Sequence, residues 1–320
     1  MHLDRRHLDK FSRIFSCRLQ SERYCIMRRT GFSFCSTICF GAVAALGVLS
    51  PAVVRSATIT LPAVADTTIL PGANQLRTFG GAPTFAVGQL SNVDSQRSIL
   101  RFDVSSLSGQ YSSIDSITLR LFFSSKAGTN ERRTEVYEIA AANAAWVEGT
   151  NVGGGVNKTG ASWLNMSQDT APGGGSSTPP INQIPWIGGS GLATAGTAYN
   201  STLLASQNFL IAPAADTSID FVLANVDLTD RVDDWIVLMP GFLLFDSLLA
   251  NAGTGLERIV YHSKEATTPS LRPELIVEYQ AVPEPNSMLL AACGLLMVTG
   301  YRWRKGNLQR RCAVRSQGRH

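Results

Sequence analysis

The chain has 320 residues and a formal charge of +4, but the charge is unevenly placed. Residues 57–280 hold 12 Lys and Arg against 20 Asp and Glu, a net charge near −8, and the basic residues crowd into the two ends. An acidic middle argues against nucleic acid as a partner. All six cysteines (Cys17, Cys25, Cys35, Cys39, Cys293, Cys312) lie outside it, so it has no disulfide framework and no thiolate metal site. His262 is its only histidine, too few for a His-based zinc site.

In chain order, residues 1–26 are polar and basic and show no apolar periodicity. Met27 opens a better start. Arg28 and Arg29 form a basic n-region, residues 38–49 an apolar h-region, and Val54-Arg55-Ser56 a small-residue cleavage site. Residues 1–56 are therefore read as an extension plus a secretory signal peptide, with Met27 as the initiator.

Residues 57–280 predict an all-β domain, a sandwich of nine or ten short strands with Gly, Pro and Ser turns and one short helix. The first strand covers 57–69. In residues 97–104, Leu100, Phe102 and Val104 share one face, and Arg97, Ile99, Arg101 and Asp103 the other. In 117–123, Ile117, Leu119, Leu121 and Phe123 alternate with Thr118, Arg120 and Phe122, the period-two pattern of a half-buried antiparallel strand. Further strands are expected at 85–88, 135–139, 219–223, 242–245, 259–262 and 275–279. Leu228, Val232 and Trp235, at spacings of four and three, predict one or two helical turns capped by Asp227 or Thr229. Residues 152–196 break the pattern. They are rich in Gly, Pro and Ser yet contain Trp163 and Trp186, so they are read as an ordered excursion.

The chain closes with Val282, Pro283, Glu284 and Pro285, an uncharged run to Tyr301, and a cluster of Arg302, Arg304 and Lys305. Residues 282–305 resemble the PEP-CTERM sorting signal of bacterial envelope proteins, with a transmembrane helix at about 287–301 and a basic cytoplasmic tail at 306–320. The resemblance implies export by the Sec machinery, transient anchoring in the inner membrane, handling by an exosortase, and release to the envelope or the extracellular matrix.

The domain itself resembles a DNRLRE-type domain, a jelly-roll class of disaggregatase-related and carbohydrate-binding (family 96-like) proteins. The resemblance is carried by TITLPAVADTTI, RSILRFDVSSL, SIDSITLRLFF, VYEI, AAWVEGT, ASWLNM, VDLTDRVDDWI, GFLLFD, YHSKEA and RPELIVEY in that order. It implies a non-catalytic polysaccharide-binding module that needs no cofactor beyond, in some members, one structural Ca2+. A structural envelope protein without sugar binding and a polysaccharide lyase or hydrolase are the alternatives.

Candidate residues follow from chemistry. Sugar CH groups stack on aromatic rings, which points to Trp163, Trp186 and Tyr199 in or near the excursion; Trp146 and Trp235 read as packing residues. Arg97, Arg101 and Arg120, on outward strand faces, form a candidate patch for sugar carboxylates, with Lys126, Arg132 and Arg133 following. Asp66, Asp103, Asp115 and Asp246 are the candidate calcium ligands. Glu148 and Glu265 read as structural acceptors, since nothing in the sequence brings them together. A lyase would draw on Arg258, Tyr261 and His262, but adjacent strand residues point to opposite faces.

Overall fold

The computed structural model describes residues 55–91, 94–248 and 255–282. Of the expected signal peptide only Arg55 and Ser56 are described, and they open the first strand; the initiator at Met27, the triplet Pro283-Glu284-Pro285, the transmembrane helix and the basic tail lie outside the described residues. Among the described residues no helix is long and apolar enough to cross a membrane.

Twelve strands and one α-helix are formed among them: β1 (Arg55–Ile69), β2 (Thr84–Ser91), β3 (Asp94–Phe102), β4 (Tyr111–Ala127), β5 (Arg132–Glu138), β6 (Asn165–Asp169), β7 (Ile181–Pro185), β8 (Ala205–Phe209), β9 (Ser218–Val222), α1 (Leu228–Leu238), β10 (Phe242–Phe245), β11 (Glu257–His262) and β12 (Glu274–Ala281). Ten of them run in the order β1-β12-β4-β11-β2-β3-β10-β5-β8, with β9 added on β4 and β1 also paired with β3. The pairings are antiparallel, and β1–β12–β4–β11–β2–β3 closes back on β1. The two longest strands make the corners. β1 pairs with β12 from Arg55 to Pro62, opposite Ala281 to Glu274, then passes an irregularity at Ala63/Ala65 and pairs with β3 up to Ile69. β4 changes partner from β12 to β11 in the same way. A bulge bends and twists a strand, which lets one strand serve two sheets. The result is a closed, jelly-roll-like β-sandwich, as the alternation predicts.

The alternating residues fill the core as expected. Ile117, Leu119, Leu121 and Phe123 of β4 meet Leu100 and Phe102 of β3, Phe242 and Leu244 of β10, and Tyr261 of β11. Each such side chain taken out of water contributes about 1.5–3 kcal/mol. α1 lies over this core through Val232 and Trp235. Asp227 caps it, accepting from the backbone N–H of Thr229 at 3.0 Å and Asp230 at 3.2 Å. It ends at Met239, whose left-handed φ of 44° turns the chain toward Pro240 and β10.

The other face of β3 departs from expectation. It is not open to solvent. Ile99 and Leu243 point away from the first core into a second one, built with Ile69, Ile139, Trp146, Trp186, Leu192 and Tyr199. Residues 143–199 fold back over β3 and β10 and make this second layer, including the small β6–β7 sheet. Trp186 is buried to 4% exposure and donates its indole N–H to the Ser162 carbonyl at 2.8 Å. Trp186→Ala is expected to cost about 3–5 kcal/mol in denaturant unfolding, the loss of a large core side chain.

Candidate functional site

The second layer decides where the candidate residues go. Arg97 and Arg101, expected on an outward face, lie beneath it. The Arg97 guanidinium donates to the carbonyls of Gly191 at 2.8 Å and Leu192 at 2.7 Å, and sits 5.5 Å from the Trp163 ring and 5.2 Å from the Phe245 ring. Arg101 donates to the Ala144 and Trp146 carbonyls and lies 4.4 Å from the Trp146 ring. Burial pulls both guanidinium groups below their ordinary range. Tyr199 packs edge-on against Tyr137 and Phe245, and Trp163 is half-buried. Arg120 stands apart, paired with Asp220 on β9 through two bonds of 2.7 and 2.8 Å. The aromatics with Arg97 and Arg101 join the excursion to the sheet, and the three arginines do not form one patch.

The four candidate aspartates are likewise dispersed. Asp103 accepts from the Ser105 N–H, Asp115 accepts from Gln280, and Asp246 is buried against Arg132 at 3.2 Å. Asp66 alone meets other acids. Its partners are Glu148 and Glu265, with oxygens of all three within 4.8 Å of one another. Asp66 donates its backbone N–H to Glu148 Oε1 at 2.5 Å, and its Oδ2 accepts from the Lys264 N–H at 2.7 Å. Lys264 Nζ reaches Glu148 Oε2 at 3.0 Å and also contacts Glu265 Oε1. Burial holds the Asp66 carboxyl well above the usual carboxylate range and raises Glu148 as well. The donor set does not suit a divalent cation, because an ammonium already stands among the carboxylates. Glu148 and Glu265 are thus brought together, and both act as acceptors for Lys264.

The lyase trio is divided between two faces. Tyr261 is fully buried in the first core and bonded to Thr134 at 2.8 Å, whereas His262 faces out and meets Asp216 at 2.8 Å. Arg258 does something else: it lines a cavity.

That cavity, of about 360 Å³, lies between residues 70–83 and the outer faces of β2, β3 and β11. Its size falls within the usual range of small-molecule sites. Arg77, Phe79 and Asn74 line it from the connection, and Thr84, Ala86, Gln96, Arg258 and Val260 from the strands. No carboxylate is among its lining residues. The Nε atoms of Arg77 and Arg258 and Oε1 of Gln96 are buried without hydrogen-bond partners, and Gln96 is only 3% exposed. An unmet buried polar group costs about 1–3 kcal/mol, and three such atoms belong to residues that line this cavity.

The excursion holds this cavity's outer wall. Leu164 N–H donates to Gln75 O, Gln168 Nε2 to Leu76 O, Gly153 N–H to Thr78 O, and Gly81 N–H to Asn151 O. Gly153, at φ 89°, lies so close that a Cβ there would stand 2.2 Å from Phe79 Cε1. Sequence reading missed Arg77, Phe79 and Gln96, which sit in a connection and at a strand end without any motif.

Two outcomes follow. Gly153→Ala is expected to cost about 1–2 kcal/mol in thermal unfolding and to lower amide protection over residues 75–82 while leaving β4 unchanged. For Asp66, a folded-state pKa raised above the unfolded value means that its stabilising contribution is complete below the unfolded pKa of about 3.9 and is lost as pH rises through the folded one. Asp66→Asn, which keeps an acceptor for the Lys264 N–H, is therefore expected to match the natural protein in acid and to exceed its stability at neutral pH, as read from unfolding midpoints across pH.

Comparison with known proteins places part of this framework. Residues 57–151 match the sequence model of Carbohydrate-binding module family 96. The matched stretch contains β1 from Ala57 onward, β2–β5, the connection carrying Arg77 and Phe79, and Glu148. No curated protein matches the chain. Among solved structures, a chain from the cryo-EM structure of Mud crab tombus-like virus aligns at 10% identity and a TM-score of 0.22, over 87% of this chain and 97% of that one.

Proposed function

We propose that this protein binds polysaccharide without cutting it, and that the cavity lined by Arg77 and Arg258 receives carboxylate-bearing sugar residues. The observation that carries the reading is the pair of arginines in a cavity with no lining carboxylate, on a domain whose net charge is near −8. A guanidinium fork matches a carboxylate in two parallel hydrogen bonds. Gln96 adds a polar side chain to the lining, and the Phe79 ring offers a face for sugar CH groups. Burial lowers Arg258, and a bound carboxylate would favour its charged form. The carboxylate pair that a hydrolase would need is bridged by Lys264, which supports a non-catalytic role. Export and sorting, through the signal peptide ending at Ser56 and the PEP-CTERM-like segment at 282–305, belong to the same reading and rest on sequence alone. On this reading the protein works in the envelope or matrix, where exopolysaccharide is the available ligand.

The test is affinity electrophoresis of the full-length protein through gels containing a polyuronate or a neutral glucan. The expected result is retardation by the polyuronate, weakened by salt. Arg77→Ala and Arg258→Ala should each weaken it about tenfold to a hundredfold, the loss of a charge-assisted hydrogen bond. Equal retardation by the neutral glucan, or none in either gel, would overturn the reading.

A further inference from the structure

Three carboxylates within 4.8 Å of one another repel, and a nearby cation or a bound proton relieves the repulsion. Here Asp66 comes from β1, Glu148 from the segment after β5, and Glu265 from the turn after β11, so the group ties together three distant parts of the chain. We infer that Lys264 is a built-in counter-cation that takes the place of a divalent ion among Asp66, Glu148 and Glu265, so that the fold holds without calcium.

The oxygens themselves carry the argument. Four of the six carboxylate oxygens already face N–H donors. Glu148 Oε1 accepts from Asp66 N–H and Glu148 Oε2 faces Lys264 Nζ. Asp66 Oδ2 accepts from Lys264 N–H, and Glu265 Oε1 faces Lys264 Nζ. Calcium asks for six to eight oxygens turned toward one point at 2.3–2.6 Å. Oxygens fixed on N–H groups do not turn that way, and the ammonium repels a second cation. Burial alone would lower Lys264, but Glu265 and Glu148 outweigh it and hold the ammonium charged. Arg101 adds positive charge on the Glu148 side. The lysine is also anchored at both ends, because its backbone N–H binds Asp66 while its side chain spans the two glutamates. A tethered ammonium loses little freedom on folding compared with an ion captured from solution, so the arrangement works at any calcium concentration.

Thermal unfolding of the full-length protein in EDTA, in calcium chloride and in magnesium chloride tests this. The expected result is one unfolding temperature in all three. Lys264→Met, similar in length but uncharged, should unfold at least about 4 °C lower in EDTA. Calcium should then raise it, because the freed carboxylates gain a site that exists only in the folded state. A natural protein that loses stability in EDTA and regains it in calcium would overturn the inference. So would a Lys264→Met protein that equals the natural one in EDTA, or one that calcium does not raise. Should Lys264→Met fail to fold, Lys264→Arg decides: calcium-indifferent stability supports the counter-cation, and a calcium-dependent one overturns it.

Discussion

Ile99 and Leu100 are neighbours on β3, point to opposite sides, and are both buried completely. The same holds for Leu243 and Leu244 on β10. A strand buried on both faces lies in the middle of three layers, and the rest of the structure depends on that constraint. The outer layer, residues 143–199, is mostly turns, and its backbone polar groups must find partners. Arg97 and Arg101 supply them from the sheet side, each giving hydrogen bonds to two carbonyls while stacking on an aromatic ring. Long arginine stems cover the apolar face and their heads reach the polar turns. Charged residues thus serve as the joint between two layers.

The joint has a second effect. The excursion that rests on β3 also reaches the connection between β1 and β2, where it fixes the backbone at residues 75, 76, 78 and 81. The cavity wall is consequently held from behind by a layer that does not line the cavity. Side chains on a loop are only as well placed as their support, and here that support is a tryptophan-rich layer with its own core.

Much of this was legible in the sequence. Period-two alternation placed β4 and β11, the continuous apolar run FLLF placed β10, and Asp227 before an i, i+4, i+7 pattern placed α1. The strands β6, β7 and β8 read as NMSQD, INQIP and ASQNF, which carry no alternation, and they passed as loop. The outward face of β3 was misjudged because a polar residue looks the same whether it faces water or a layer of carbonyls. Ile99 between the two arginines, and an apolar β10 on both sides, were the signals for a covered face. The candidate site was less legible. Arg77 and Phe79 lie in a connection whose residues become neighbours of Arg258 only after the sheet closes. Glu148 and Glu265 were dismissed as a pair for the same reason: only the pairing of β11 and the fold of the segment after β5 bring them to Asp66.

The pairing of the first and last strands has a geometric consequence. Ala57 stands opposite Tyr279, so both ends of the domain leave side by side. Thr68 and Leu70, on the cavity wall, lie at the other end of the same long strand, about 40 Å along it at the usual rise per residue. Tension between the two ends would part β1 from β12 one bond at a time, beginning near Ala57 and Tyr279, before it loads the part of β1 that pairs with β3.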